Sequence, residues 1–272
     1  MPRIDIDEVL REKAPRFVKY IPRFIRNWLR RTIHEEALND ILAAGWNRPP
    51  QEFIHVAFER MRIAYRIDGL ERLDPAERYL FVANHPFGGL DGMMIADALI
   101  ERFGDARVVV NDLLMHVEPL QPIWLPVNKH GRQTAAYARR YDEAFASDLP
   151  ILTFPAGLCS RRRDGVVSDT PWRLNFIKRA HASGRKIVPL YVEGRLSDFF
   201  YRIARLRERL GIKLNVEMLW LPDEMFRQGG SRFRIVAGDP IAPDGLRGTL
   251  RQQADTVRGE VYRLKEKLPC TK

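Results

Sequence analysis

The chain has 272 residues and 45% of them are hydrophobic, which is enough to bury a core and argues against general disorder. A formal net charge of +10 at pH 7 favours an acidic partner, whether nucleic acid, an anionic membrane surface or an acidic protein. The two cysteines, Cys159 and Cys270, exclude a disulfide framework or a cysteine-built metal cluster and suit a reducing cytosol.

The first segment in chain order, residues 8–45, is predicted to be helical. Within it, FVKYIPRFIRNWLRRTI repeats apolar residues at the i, i+3, i+4, i+7 spacing of one helix face. The apolar positions are Phe17, Tyr20, Ile21, Phe24, Ile25, Trp28, Leu29 and Ile33, and the basic positions are Arg16, Lys19, Arg23, Arg26, Arg30 and Arg31. This pattern is typical of a helix that lies on anionic lipid. The alternative is a helix that packs on the main domain with its charges in water.

The sequence shows no segment that would span a bilayer. The first residues, MPRIDIDEVLREK, are acidic and lack an apolar core, and no stretch reaches the roughly 18 apolar residues of a spanning helix. We therefore expect no signal peptide and no transmembrane helix. Residues 1–50 are expected to form an amphipathic extension at the membrane interface, and residues 51–272 an α/β domain.

After the break GWNRPP, strand-like and helix-like stretches alternate along the chain. Strands are predicted at 61–67, 79–83, 106–110, 123–127, 150–154, 186–192, 214–220 and 232–237, and helices at 92–103, 132–147, 171–183, 198–210 and 246–268. Such alternation is typical of an α/β fold with a mostly parallel or mixed sheet flanked by helices. In open sheets of this kind, ligands bind at the carboxyl ends of the strands.

One histidine stands at such a strand end. In LFVANHPFGGLDGMM, His85 follows the predicted strand 79–83, and Asp91 lies near the start of the next helix, beyond a glycine pair. A carboxylate bonded to one imidazole nitrogen fixes the tautomer and leaves the other nitrogen to take a proton from a hydroxyl. The pair is therefore a candidate general base. The simpler interpretation makes Asp91 the N-cap of a helix that begins at Gly92.

A basic loop, FPAGLCSRRR, follows the predicted strand 150–154. Gly157 shapes a turn, and Ser160, Arg161 and Arg162 place hydrogen-bond donors and charge at the edge of the sheet. Arginine pairs well with phosphate or carboxylate, so this loop suits an anionic head group. A solvated basic loop is the alternative.

Two further loops have the same layout of a strand followed by polar residues. In PVNKHGR, Lys129 and Arg132 are expected to line the same cleft as ligand-binding groups, and His130 is a weaker candidate than His85 because no acidic residue is close in sequence. In KIVPLYVEGR, Pro189 predicts an edge strand, a bulge or a bend in the backbone.

Taken in this order, the blocks resemble the glycerolipid (lysophospholipid) acyltransferase superfamily. Its members carry an NHxxxxD motif after a strand, a middle block with a basic residue, an FPEGTRS-type block and a strand containing Val-Pro. The blocks here are Asn84-His85…Asp91, Val127-Asn128-Lys129, Phe154-Pro155-Ala156-Gly157 with Ser160-Arg161, and Val188-Pro189, over roughly residues 60–240.

Two departures from that pattern indicate a branch of the superfamily. His85 and Asp91 are separated by five residues rather than four, and Ala156 replaces the glutamate of the FPEG block. In the superfamily that block is associated with the glycerol phosphate of the acceptor, so its change argues against lysophosphatidic acid. NHPFGGLDG with FPAGLCSRR is more similar to a bacterial branch that carries a "hemolysin" label. Its members resemble O-acyltransferases that complete aminolipids such as ornithine or glycine lipids.

The resemblance implies transfer of a fatty acyl group from a thioester of acyl carrier protein or coenzyme A to the hydroxyl of a lysolipid. It implies His85 as the base and Asp91 as the group that orients it. Together with the residue patterns, it indicates substrate-binding roles for Asn84, Gly88, Gly89, Lys129, Arg132, Gly157, Ser160, Arg161 and Arg162. It implies no metal and no bound cofactor, and a peripheral protein on the cytoplasmic side of the bacterial inner membrane.

Two alternatives leave different functions open. An acyl thioesterase or other hydrolase would use the same base on water, and dependence of thioester consumption on a lipid acceptor separates it from an acyltransferase. A non-enzymatic basic protein that binds nucleic acid would account for the charge alone. The basic residues are scattered, however, and no known nucleic-acid module is evident in the sequence, which argues against this second alternative.

Overall fold

The structure is a computed structural model that describes residues 3–13, 18–127 and 134–268. The chain forms two compact units. The first, here called the helical unit, comprises Met1–Ile63, His116–Leu120 and Leu196–Ser231. The second, the sheet unit, comprises Ala64–Met115, Gln121–Arg195 and Arg232–Lys272.

The α-helices begin and end at residues that the structure defines as follows. They are α1 (Ile6–Lys13), α2 (Arg23–Thr32), α3 (Glu35–Ala44), α4 (Pro50–Met61), α5 (Gly89–Phe103), α6 (Ala135–Ala146), α7 (Asn175–Ser183), α8 (Asp198–Arg209), α9 (Leu221–Arg227) and α10 (Leu250–Arg263). Helices α5, α6, α7 and α10 belong to the sheet unit and the others to the helical unit. Among the described residues, no helix has both the length and the apolarity needed to cross a membrane.

The sheet unit contains a seven-stranded sheet and a small hairpin. The strands are β1 (Ala64–Asp68), β2 (Tyr79–Ala83), β3 (Arg107–Asn111), β4 (Trp124–Val127), β5 (Ile151–Thr153), β6 (Arg161–Arg163), β7 (Val166–Ser168), β8 (Lys186–Val192) and β9 (Arg232–Ala237). The order in the large sheet is β1-β9-β8-β2-β5-β3-β4, and every neighbouring pair is parallel except β8 and β9. Strands β6 and β7 pair with each other as an antiparallel hairpin.

The core of the sheet unit forms because its central strands are apolar on both faces. Every residue of β2 is buried, as expected for a strand with a parallel partner on each side. On one face, Leu80 and Val82 pack in a cluster with Ile177 of α7 and Val257 of α10. A mostly parallel sheet with helices packed on it confirms the predicted α/β class.

Sequence and structure differ most at residues 214–220. The alternation in KLNVEMLW predicts a strand, but Val216–Trp220 forms a 3-10 helix. The side chain of Glu217 is fully buried, and its carboxylate lies 3.0 Å from Nε of Arg207 on α8. Because a buried carboxylate is stable only when it is paired, this contact holds the segment against α8 rather than in the sheet.

Two predicted helix starts also differ from the structure. Helix α5 begins at Gly89 rather than at residue 92, because Gly88 adopts a φ of 77° that ends the preceding loop. Helix α10 begins at Leu250 rather than at residue 246, because the Thr249 hydroxyl caps it by accepting a hydrogen bond from the Gln252 N–H.

Pro189 marks a bulge, which is one of the outcomes predicted from its position inside a strand. Antiparallel bridges pair Ile187 with Ile241 and Leu190 with Ala237, on either side of Pro189. Between these bridges, β8 has two residues and the segment after β9 has three, so one residue is extra, as in a β-bulge. Proline has no N–H to donate, so it is tolerated where the ladder is irregular. The Pro189 carbonyl accepts a hydrogen bond from the N–H of Gly238 instead.

The amphipathic amino-terminal segment is helical, and its apolar residues divide into two sets. Leu29 and Ile33 are buried in a small cluster with Ile6 of α1. Tyr20, Phe24 and Trp28 are exposed; these three residues, four apart in sequence, are called the aromatic ridge below. The helix therefore packs through one side and presents aromatic rings to solvent on another.

The cationic residues of this segment also divide. The guanidinium groups of Arg26 and Arg30 both pair with the carboxylate of Asp7 on α1, whereas Lys19 and Arg23 are exposed. Two of the predicted charges therefore stabilise the packing of α2 on α1, and Lys19 and Arg23 are accessible to a partner. Phe17 and Arg16 lie outside the described residues.

Arg185 stabilises the amino-terminal edge of the sheet. Its buried guanidinium donates hydrogen bonds to four backbone carbonyls, those of Tyr79, Ala144, Ser147 and Leu149. Burial, with the cationic group of Arg78 nearby, lowers the pKa of Arg185 to about 10. One side chain thus ties the start of β2 to the loop that follows α6.

We expect Arg185→Met to lower the free energy of unfolding by about 3 kcal/mol, because four backbone carbonyls, two of them in buried hydrogen bonds, lose a charged donor. Urea unfolding followed by circular dichroism measures this change. Arg139→Met on α6 is the matched control: that side chain is exposed and its ion-pair partner is Glu143 one turn away, so little change is expected. Equal stability of the two variants would contradict the assigned role.

Candidate active site

The topology of the sheet brings three predicted motif loops to one edge. Strands β8, β2 and β5 are parallel neighbours, so their carboxyl ends lie side by side. The loops that follow these ends contain Glu193, His85 and Phe154, respectively. The motifs are distant in sequence but adjacent in the sheet, as expected for a site in an open α/β fold.

Asn84 joins two of these strand ends. Its side-chain Nδ2 donates a 2.9 Å hydrogen bond to the Val192 carbonyl, and its Oδ1 accepts a 2.7 Å bond from the Val192 N–H. The side chain is buried, and both of its polar atoms bond to the backbone of β8. Asn84 therefore fixes where the next residue, His85, leaves the sheet.

His85 and Asp91 form the predicted pair. Nδ1 of the imidazole lies 3.0 Å from Oδ2 of Asp91, and the Asp91 side chain is fully buried while that of His85 is 17% exposed. A carboxylate at Nδ1 favours the tautomer with its proton on Nδ1, which leaves the lone pair on Nε2. The ring also stacks on Phe154, with the ring centroids 4.0 Å apart. Two loops therefore fix the orientation of one imidazole.

Asp91 is the third residue of α5 rather than its N-cap, but its side chain does help to cap the helix, because it accepts a hydrogen bond from the N–H of the N-cap residue Gly88. The same Oδ2 atom that contacts His85 also accepts hydrogen bonds from the N–H groups of Phe87, at 2.9 Å, and Gly88, at 3.1 Å. These bonds close the turn between the histidine and the helix. The N–H of Gly88, a residue predicted above to bind substrate, is consequently already bonded.

Burial raises the pKa of Asp91 above its ordinary value. This effect outweighs the contacts with His85 and the two backbone N–H groups, which favour the ionised form. The second carboxylate oxygen, Oδ1, is buried and has no hydrogen-bond partner among the described residues. An ionised Asp91 is therefore costly to bury, and a positive charge on His85 would stabilise it.

Asp169 is a part of the site that the sequence analysis missed. Its Oδ1 accepts hydrogen bonds from the N–H of His85, at 3.1 Å, and from the hydroxyl of Ser160, at 2.7 Å. Its Oδ2 accepts a 2.9 Å bond from the indole N–H of Trp172. The carboxylate is buried and joins the histidine loop to the start of the basic hairpin.

The sequence around Asp169 predicts the start of a helix rather than a residue of the site. Asp-Thr-Pro at residues 169–171 predicts a helix start, yet α7 begins four residues later at Asn175. The carboxylate does not cap the helix because it bonds to the residues of the site. The backbone of Asp169 is also held: its N–H donates to the hydroxyl of Tyr262, and its carbonyl accepts from Arg258, both on α10.

The basic loop forms the β6–β7 hairpin, which the sequence patterns did not predict. Ser160, just before it, is buried, and its N–H donates a 2.8 Å hydrogen bond to the His85 carbonyl. Arg161 is also buried, and one of its nitrogens donates to the Cys159 carbonyl at 2.8 Å. Arg162 is half-buried and Arg163 is exposed. The predicted arginines thus differ in how accessible they are to a ligand.

Gly157 turns the chain between Phe154 and Ser160. It adopts a φ of 67°, and a side chain there would contact the guanidinium of Arg173 at 3.4 Å. For Gly89, by contrast, none of the described residues lies within 4 Å of the position that a side chain would occupy, apart from its chain neighbours and its own helix.

The remaining predicted binding residues, Lys129 and Arg132, lie outside the described residues, as do His130 and Cys270. Cys159 is described, and it is buried. Within the described ranges, no group of three or more His, Cys, Asp or Glu residues is arranged to hold a metal ion.

A mostly parallel sheet with a histidine–carboxylate pair at its carboxyl edge defines a site that can deprotonate a hydroxyl. An acyltransferase family model matches residues 8–271, and the chain belongs to this acyltransferase family. It is therefore an acyltransferase of the glycerolipid acyltransferase superfamily.

Curated relatives are similar over nearly the whole chain. The lyso-glycine lipid O-acyltransferase of Phocaeicola vulgatus is 39% identical over 264 residues, which cover 96% of this chain and 95% of the relative. The lyso-glycine lipid O-acyltransferase of Bacteroides thetaiotaomicron is 38% identical over 264 residues, which cover 96% of this chain and 97% of the relative.

A solved structure shows the same fold. The crystal structure of the 1-acyl-sn-glycerophosphate (LPA) acyltransferase PlsC from Thermotoga maritima aligns with a TM-score of 0.51 and 15% sequence identity. The alignment covers 92% of this chain and 100% of PlsC. At this identity, the likeness supports the fold alone.

We expect Asp91→Asn to be at least as stable as the unsubstituted protein near neutral pH. Because the folded state raises the pKa of Asp91, it binds this proton more tightly than the unfolded state does. The stability contributed by the carboxyl group is greatest at low pH and falls as the pH rises through the folded-state pKa. The asparagine does not titrate, so the unsubstituted protein should lose stability relative to the variant as the pH rises above the ordinary pKa of an aspartate and through the raised folded-state pKa.

Urea unfolding at several pH values tests this expectation. Asp148→Asn removes an exposed carboxylate and serves as the control, since its stability should follow that of the unsubstituted protein across the range. If the Asp91→Asn variant becomes progressively less stable than the unsubstituted protein as the pH rises, burial is not the main influence on the pKa of Asp91.

Proposed function

We propose that this protein transfers a fatty acyl group from a thioester to the hydroxyl of a lysolipid of the aminolipid class, with His85 as the general base. The observation that carries the proposal is the 3.0 Å contact between Nδ1 of His85 and the fully buried carboxylate of Asp91. This contact leaves Nε2 to act on a substrate. No metal or bound cofactor enters the proposed reaction.

In the proposed reaction, Nε2 of His85 takes the proton of the acceptor hydroxyl while the oxygen attacks the carbonyl carbon of the thioester. Asp91 stabilises the imidazolium that forms. The tetrahedral intermediate then collapses, the carbon–sulfur bond breaks, and the leaving thiolate takes the proton from His85. The products are the ester and the free thiol, and His85 returns to its neutral form.

The developing oxyanion needs hydrogen-bond donors, and the start of α5 supplies candidates. The N–H groups of Gly89 and Leu90 are not used in hydrogen bonds within the part of the chain that the structure describes. The first N–H groups of a helix point outward from its amino terminus, where negative charge is stabilised. We assign the oxyanion site to these two groups, in place of Gly88.

The acceptor class rests on the relatives and on the basic hairpin. Both curated relatives are named lyso-glycine lipid O-acyltransferases. A glycine attached through its amino group keeps a free carboxylate, which is a natural partner for a guanidinium. Arg162 is half-buried beside the buried Arg161 and Ser160, which makes it the accessible candidate for this contact. Ala156 is buried where the superfamily has a glutamate, which distinguishes this acceptor loop from that of glycerol phosphate enzymes.

The positive charge of the chain supports the proposed acyl donor and the proposed location at a membrane. Acyl carrier protein is acidic and coenzyme A carries phosphates, and both suit a chain with a net charge of +10. The exposed aromatic ridge, with Lys19 and Arg23, suits an anionic bilayer surface. We therefore place the protein on the cytoplasmic face of a bacterial inner membrane as a peripheral enzyme.

We expect His85→Ala to reduce acceptor-dependent release of thiol by at least about 100-fold, because the acceptor hydroxyl loses its base. The assay combines acyl carrier protein or coenzyme A thioesters with a panel of lysolipids that includes lyso-glycine lipid. His181→Ala is the control; His181 is an exposed histidine of α7 that contacts Gln253, and its loss should leave the rate unchanged.

Two outcomes of this assay would overturn the proposal. Thiol release that needs His85 but no lipid acceptor would identify a thioesterase. A well-folded protein that is inactive with every donor and acceptor would favour a binding role without catalysis.

We expect Arg162→Gln to raise the KM for the lysolipid about tenfold while kcat and the KM for the thioester stay nearly constant, because a charge-assisted contact with the acceptor is lost. Arg263→Gln removes the same charge from an exposed ion pair with Glu260 on α10 and should not change the KM. An equal change in both variants would indicate a general effect of charge.

A further inference from the structure

The exposed apolar side chains of this protein are concentrated in one unit. Among the described residues, all of the large exposed apolar side chains except Val166 belong to the helical unit. Three of them form the aromatic ridge. The others are called the α8 surface here and are Phe199, Leu206, Leu210, Ile212, Leu214 and Leu219. Such a concentration marks a surface that contacts an apolar partner.

Helix α8 is apolar on two sides, although an ordinary surface helix is apolar on one. Phe200 and Ala204 are buried and hold the helix in the unit. Phe199, Leu206 and Leu210 follow at intervals of seven and four residues, which places them on a second side that is exposed. Burial within the unit therefore does not explain why these three residues are apolar.

The segment after α8 continues the exposed surface. Ile212 and Leu214 are 42% and 72% exposed, and Leu219 lies in the 3-10 helix Val216–Trp220. The buried pair of Arg207 and Glu217 fixes this segment against α8. The segment that carries these exposed apolar side chains is therefore fixed in position against α8.

Ring contacts connect the α8 surface to the aromatic ridge. Trp220 lies edge-on to Trp28, with centroids 5.6 Å apart, and edge-on to Phe199, at 5.7 Å. One indole therefore contacts a member of each set. The two sets form one continuous surface within the helical unit.

The charge around the α8 surface is basic. Residues 197–214 contain five Lys or Arg residues and two Asp or Glu residues. Of the basic residues, Arg202, Arg205, Arg209 and Lys213 are exposed. Apolar side chains within a border of cationic groups are complementary to a bilayer that contains anionic lipid. Positive charge on both partners would oppose contact with a second copy of the chain.

We propose that the α8 surface is a second lipid-contact surface, continuous with the aromatic ridge, and that its partner is an anionic bilayer. The proposal deepens the peripheral location stated under Proposed function, and it does not depend on the chemistry of His85. Contact through both sets means that the amino-terminal helix alone is not sufficient for full membrane affinity.

Sedimentation with vesicles of phosphatidylglycerol and phosphatidylcholine tests the proposal, with neither acyl donor nor acceptor present. We expect Leu210→Asp and Leu214→Asp each to weaken binding about tenfold, because an apolar contact is lost and a negative charge is added. Phe24→Asp, on the aromatic ridge, is expected to have an effect of similar size.

Val166→Asp is the matched control, since it places the same charge at an exposed apolar residue of the sheet unit. It should bind within about twofold of the unsubstituted protein. All four positions are exposed, so circular dichroism should show unchanged folding.

Two results would overturn the proposal. If Leu210→Asp and Leu214→Asp bind as the unsubstituted protein does while Phe24→Asp does not, the lipid contact is limited to the aromatic ridge. Analytical ultracentrifugation could instead detect a dimer that Leu210→Asp abolishes, which would identify a second copy as the occupant. An enzyme inactive in the acyl-transfer assay would still bind vesicles, so failure of the proposed function is distinguishable from failure of this inference.

Discussion

One carboxylate oxygen, Oδ2 of Asp91, organises the site. It contacts the imidazole of His85 and accepts hydrogen bonds from the N–H groups of Phe87 and Gly88. It therefore orients the imidazole and closes the turn that leads into α5. The cost is a fully buried carboxylate with a raised pKa and one unpartnered oxygen. Groups with perturbed pKa values are frequent at active sites, where such a cost is retained because it serves catalysis. In the proposed reaction, the positive charge on a protonated His85 would offset this cost at the step in which the histidine takes the proton.

A second carboxylate provides the support that the first requires. Asp169 accepts hydrogen bonds from the N–H of His85, the hydroxyl of Ser160 and the indole of Trp172. The backbone of Asp169 is in turn hydrogen-bonded to side chains of α10. The base and the basic hairpin are thereby fixed relative to each other. The proposed acyl transfer needs this arrangement because the proposed base and the proposed acceptor-binding groups must contact the same substrate. The site therefore depends on residues that contact no substrate in the proposed reaction.

The helical unit divides its apolar residues between packing and exposure. Leu29 and Ile33 of α2 and Phe200 of α8 are buried, whereas the aromatic ridge and the α8 surface face outward. The proposed action at a bilayer would require both properties, since the unit must fold in water and still bind an apolar surface. Charged residues divide in the same way: Arg26 and Arg30 pair with Asp7, while Arg202 and Arg205 remain exposed.

Local patterns in the sequence determined the α/β class, most of the strands and helices and the pair of His85 and Asp91, because periodicity and turn residues act over a few positions. The superfamily also followed from the order of the short motifs. Only the tertiary structure decided the role of Asp169, the burial of Arg161, the 3-10 helix at Val216–Trp220 and the α8 surface. Asp169 contacts a residue 84 positions away, and the buried Glu217 pairs with Arg207 of another helix. Such contacts depend on which strands and helices become neighbours in space, and local sequence patterns do not contain that information.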